Sequence, residues 1–107
     1  MTKTVRVAAD YDCYPVWIRE ANGLNNVPPS ALPVTGQLQS DLDGWGDEFD
    51  ATLNRDDPAA SGFSSAGAED SFAERGKGLA RRLKRELGTE WQVTYFDLRA
   101  ALEVDIH

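Results

Sequence analysis

The 107-residue sequence predicts an α+β fold, a two-layer domain in which a small, mostly antiparallel sheet is covered on one face by two helices. Three observations carry that expectation. Short stretches near both ends alternate apolar and polar residues with a period of two, two middle stretches repeat their apolar residues every three or four positions, and an Asn-Gly pair marks a tight hairpin early on.

Thr4 to Ala9 is the first strand, with Val5 and Val7 on one face and Thr4 and Arg6 on the other. Asp10-Tyr11-Asp12-Cys13-Tyr14 is a connection, and Pro15 to Glu20 is a second strand with proline at its edge. Asn22-Gly23 turns the chain into a short third strand, Leu24 to Val27, which Pro28 and Pro29 end because neither can donate to a ladder. Leu38, Leu42, Trp45, Phe49 and Leu53 then fall on one face of a helix over about 36–53, with Thr35 as N-cap. Gly44 and Gly46 inside it mark a bend or the close approach of another backbone beside Trp45.

Residues 55–69 form a long loop, with Phe63 tucked beneath the domain. Ser71 and Glu74 have the spacing of a capping box, and Phe72, Gly76, Leu79, Leu83 and Leu87 mark the face of a second helix that Gly88 stops. Thr89 to Phe96 returns to strand, with Trp91, Val93 and Tyr95 alternating against Gln92 and Thr94. The order is β-β-β-α-α-β within a single domain, 1–96, and 97–107 is a C-terminal tail or short helix.

The charge is segregated. Residues 41–57 hold seven acids (Asp41, Asp43, Asp47, Glu48, Asp50, Asp56, Asp57) against Arg55, whereas 75–86 hold six bases against Glu86. At 100° per residue Asp43, Asp47 and Asp50 oppose the apolar stripe of the first helix, and Asp41 and Glu48 lie along one flank. Such a run is ordinarily a solvated face. Asp43 and Asp47, at i,i+4, nevertheless disfavour the helix they sit on, which leaves room for a partner-binding role. Pairing between the two helices is a third reading, worth about 0–1 kcal/mol per exposed pair. A formal charge of −7 disfavours nucleic acid and anionic membranes as main partners and favours a basic one.

Catalytic parts are scarce. The only histidine is His107, so no Ser/His/Asp or Cys/His arrangement assembles inside the fold. Cys13 is the only cysteine, which excludes an internal disulfide and paired-thiolate zinc sites and points to a reducing compartment. With no signal-peptide core or membrane span in the sequence, the expected location is the cytoplasm. No glycine spacing matches a phosphate-cradling loop, and no cofactor is called for. A runner-up reading gives Asp10 and Asp12 a divalent cation in a small metal-dependent enzyme, although Asp in such a turn commonly bonds its own backbone. Another alternative is a self-associating regulatory or assembly module. Trp17 is expected to be buried, whereas Tyr11 and Tyr14, beside two aspartates, are candidates for an interface.

Asp10-Tyr11 with Pro15-Val16-Trp17, Leu42 and Trp45 leading to Asp47-Glu48-Phe49-Asp50, Asp57-Pro58, Ser61-Gly62-Phe63, Gly78-Leu79-Ala80 and Glu86-Leu87-Gly88 together form a pattern over roughly residues 5–96. It resembles small acidic proteins of high-GC bacteria, some of them immunity proteins of polymorphic or contact-dependent growth inhibition toxin systems. The resemblance implies a non-enzymatic protein that binds a cognate toxin protein through that toxin's basic domain, often a nuclease. The charge pattern and the two tyrosines then make the acids of the first helix and following loop, with Tyr11 and Tyr14, the expected contact surface. The oligomeric state is left open.

Overall fold

In the computed structural model, which describes residues 3–57, 59 and 61–107, five strands form one sheet in the order β3-β2-β1-β4-β5. β1 (Lys3–Val7), β2 (Val16–Glu20) and β3 (Gly23–Val27) form an antiparallel meander, and β1 pairs in parallel with β4 (Trp91–Asp97). β5 (Leu102–Ile106) returns antiparallel along β4. Between β3 and β4 the chain makes a 3₁₀ turn at Pro29–Ala31, then α1 (Gly36–Asp50) and α2 (Ala66–Leu87). The α+β architecture and the mostly antiparallel sheet are those the periodicity predicts.

The helices cover one sheet face. Val5, Val7, Val16, Val93, Tyr95 and Ile106 meet Leu38, Leu42, Trp45, Phe72, Ala80 and Leu83 there, all fully or nearly fully buried. At the centre Trp45 and Phe72 stack with centroids 4.6 Å apart, and Trp45 Nε1 donates to Phe72 O at 3.0 Å. Tyr95 Oη donates to Ala73 O at 2.8 Å, so both polar atoms of this aromatic cluster are satisfied. Burial pushes the Tyr95 phenol far above its ordinary value.

Several boundaries differ from expectation. Thr35 caps α1 as predicted, accepting from Leu38 N, but the helix ends at Asp50 rather than 53. Thr52 Oγ1 donates to the Phe49 carbonyl at 2.7 Å and the Thr52 and Leu53 amides bond three residues back, so Leu53 leaves the helical stripe. The second helix is capped six residues before the Ser71 of the Ser71/Glu74 signature. Ser65, in extended conformation, accepts from Ala68 N at 3.0 Å and is the real cap, while Ser71 is exposed in the helix interior. Phe63 does pack inward, 5.0 Å from Phe72. Trp17 is half-buried rather than buried, because β2 turns it to the sheet face that the helices leave open.

Residues 97–107 are neither a frayed tail nor a short helix. Arg99 bonds Asp97 at 2.8 and 3.0 Å, Ala101 takes φ 52°, and β5 follows. A hairpin whose left-handed residue is alanine carries no Asn-Gly or Gly signal, so nothing in the sequence marks the turn that precedes the alternation of Leu102 to Ile106.

α1 is continuous through both glycines. At Gly46 a Cβ would lie 3.4 Å from Pro15 Cδ, so this position admits the β1–β2 connection beside the helix. Trp45 meets its glycine on the other helix, at Gly76.

A candidate interface on the first helix

The β1–β2 connection and α1 together build a groove of about 570 Å³. Asp10 opens the connection with its Oδ1 accepting from the next amide, Tyr11 N, at 2.8 Å, one residue short of the Asx turn in which aspartate bonds two residues on. Tyr11 then stacks on Phe49 of α1 at 4.5 Å, and its hydroxyl lies 3.1 Å from Thr52 Oγ1. Asp12 takes φ 59°, a conformation that aspartate tolerates better than most residues, and its amide donates to Asp50 Oδ1 at 2.9 Å. Its carboxylate receives Arg55 at 2.8 Å, and that hydrogen bond, reinforced by the guanidinium's charge, lowers the carboxyl below the usual range.

Tyr14 is fastened through its backbone. Asn26 of β3 accepts from Tyr14 N at 2.9 Å and donates to Tyr14 O at 2.7 Å, and the residue is 49% exposed on the groove's lining. Asp43, Asp47 and Asp50 supply the opposite wall. None of the three has a cationic side chain within 4.0 Å among the described residues. Asp50 is tied to the Asp12 amide, which leaves Asp43 and Asp47 the two exposed, uncommitted carboxylates. Partial burial, then the Asp47 charge, pushes the Asp43 carboxyl above its ordinary value.

The nine expected contact residues therefore divide. Asp43, Asp47, Asp50 and Tyr14 converge on this groove. Tyr11 is half-buried under the connection and holds it in place. Asp41 and Glu48 turn the other way, toward α2: Arg82 donates to Asp41 at 2.7 Å and Arg75 grips Glu48 with both guanidinium nitrogens. Those bonds lower both carboxyls. The amides of Asp56 and Asp57 both donate to Asn54 Oδ1, at 3.1 and 3.0 Å, and both side chains are exposed on the following loop. Sequence reasoning missed Asn26 and Arg55, which brace the connection from β3 and from the loop; no motif marks either.

Asp10 and Asp12 are thus engaged by a backbone amide and by Arg55, and no group of three His, Cys, Asp or Glu among the described residues could hold a metal ion. Burial, followed by the charges of Asp10, Asp12 and Asp50, raises the Cys13 thiol, which disfavours the nucleophilic thiolate. No helix of the described residues is long and apolar enough to cross a membrane.

The pair Asp43/Asp47 carries a testable cost. Because Asp43 has a raised carboxyl in the folded state, its penalty is absent below the unfolded pKa of about 3.9 and complete above the folded one. Asp43→Asn should therefore raise stability at pH 7 by roughly 0.2–0.5 kcal/mol, or about 1–4 °C in Tm, and match the parent at pH 3. Thermal melts at the two pH values check this.

Fold and groove define a small α+β domain that presents unpaired carboxylates and an exposed tyrosine beside one another, a surface suited to a cationic macromolecule. The chain belongs to the Serratia CdiI immunity protein-like family, whose model matches residues 3–98. This membership supports an immunity role in contact-dependent inhibition and implies a cognate toxin as partner. Comparison with curated proteins finds no significant match.

Proposed function

We propose that this protein is a cytoplasmic immunity protein that neutralises its cognate toxin by seating a basic surface of the toxin domain in the carboxylate groove. The observation that carries the reading is the pair of exposed carboxylates, Asp43 and Asp47, which have no cationic partner among the described residues, on the wall of a groove whose facing loop is braced at both ends. The protein acts by binding and contributes no chemistry. Asp43 and Asp47 make the ionic contacts, Tyr14 provides an aromatic anchor at the rim, and Asp12, Asp50 and Tyr11 hold the loop that carries it. Asp56 and Asp57 add to the negative field and speed encounter. A nuclease domain, whose substrate groove must be basic to hold phosphates, fits this chemistry.

The test is to titrate the chain with the carboxy-terminal domain of the protein encoded immediately upstream, at low and high salt. Tight binding whose association rate falls about tenfold or more with added salt supports the electrostatic seat. Tight binding indifferent to salt would move the interface away from the carboxylates.

A further inference from the structure

Across α1 from the carboxylate groove lies a larger one of about 770 Å³, formed between α1 and α2, and its charge is of the opposite sign. Arg75, Arg81, Arg82 and Arg85 line it. Its two acids, Asp41 and Glu48, are already taken by Arg82 and Arg75. Arg81 and Arg85 are exposed, and neither has a carboxylate within 4.0 Å among the described residues, so two guanidinium charges stand uncompensated.

The floor is bare for a reason that packing inside the domain does not supply. A mid-helix glycine costs about 1 kcal/mol relative to alanine. Gly76 and Gly46 offset that cost by admitting Trp45 and Pro15. Gly44 and Gly78, which line this groove, have nothing within 4 Å of where a Cβ would stand. They leave the helix backbones open beside Leu79 and the edge of Trp45, with room for another chain to lie between the arginines.

We propose that this groove docks an acidic segment of the same toxin that the carboxylate groove engages, an inference that rests on the immunity reading above. Charge complementarity selects the occupant: the guanidiniums of Arg81 and Arg85 can each donate to a carboxylate in fork geometry. Duplex nucleic acid, the other polyanion, meets a chain of net charge −7 whose α1 carboxylates lie next to the arginines. One partner can cover both grooves. They are separated by the width of a single helix, about 10–12 Å with side chains, and a standard interface covers about 800 Å² on each partner. The interface is then bipolar, base on acid on one side of α1 and acid on base on the other. Turning the toxin end for end would set like charges together, so the arrangement fixes orientation and rejects toxins of a different charge layout.

The experiment measures affinity and dissociation rate for the upstream protein's carboxy-terminal domain with the parent chain, Arg81→Glu/Arg85→Glu and Asp43→Lys/Asp47→Lys, with circular dichroism melts confirming each fold. Arg81 and Arg85 are exposed and make no ion pair among the described residues, so their reversal should keep the protein folded, with a Tm lowered by a few degrees because Arg85 sits in the last turn of α2, and weaken binding about tenfold or more. Parent-like binding by that variant overturns the groove proposal while leaving the carboxylate seat intact. No binding by the parent chain overturns the immunity reading and this inference with it. Arginine-dependent binding of a duplex oligonucleotide at physiological salt, instead of the toxin, would assign the groove to nucleic acid and overturn the proposal.

Discussion

Asp43→Lys/Asp47→Lys is expected to lower affinity for the toxin domain about 100-fold or more and to abolish protection of a toxin-exposed cell, while the protein stays folded. The two aspartates bond no other described side chain and are exposed, so nothing inside the domain depends on them. Reversal replaces two attractions with two repulsions in the same groove, and close interfacial charge pairs are individually worth about 1.5–7 kcal/mol. Asp50 should be left in place. Its carboxylate holds the Asp12 amide at 2.9 Å, and a triple reversal would confound lost contact with a loosened loop. Titration calorimetry with parallel melts separates the two. A double variant that binds and protects like the parent removes this groove as the seat.

Gly76→Ala should be the most damaging glycine-to-alanine change in either helix. A Cβ there would stand 2.7 Å from both Trp45 Cε2 and Tyr95 Oη. Neither ring can yield cheaply, since each is hydrogen-bonded to a carbonyl of α2 itself, Trp45 to Phe72 O and Tyr95 to Ala73 O. Overpacking of this kind costs about 1–3 kcal/mol, occasionally more, against the gain of about 1 kcal/mol that alanine brings to a helix interior. The severity of the overlap places the net loss near 2 kcal/mol, or roughly 8–15 °C in Tm. Gly78→Ala, two residues on with open space above it, isolates the helix-propensity gain and should raise Tm; both are read in one set of melts.

The contrast between these neighbouring glycines shows where sequence reading succeeds and stops. Periodicity found the apolar stripes of α1 and α2 and the alternation of β1 and β4, because burial on one face imposes a repeat. It placed Gly76 on the apolar face, but could not say that its missing side chain makes room for an indole from another helix. The capping box misled for a similar reason: Ser71 and Glu74 have the right spacing, yet helix formation had already begun at Ser65. β5 was missed because its hairpin turns on an alanine. Asp43 and Asp47 were legible as exposed acids from the helical wheel alone. Their assembly with Tyr14 was not, since it depends on a β1–β2 connection brought beside Gly46 and braced by Asn26 and Arg55. Nor could the wheel show that Asp41 and Glu48, counted in the same run, answer the arginines of α2.

The parallel pairing of β1 with β4 has a consequence for synthesis on the ribosome. β1 emerges first, but its inner neighbour β4 emerges only after both helices, and β5 later still. The central ladder of the sheet joins segments that lie far apart along the chain, so the helices have no completed surface to settle on until translation has passed β4. A nascent copy interrupted before Trp91 leaves Val5 and Val7 without Val93 and Tyr95 beside them. No partly made copy can therefore hold the folded sheet: the domain goes from unassembled to complete in the short stretch of synthesis that delivers β4 and β5.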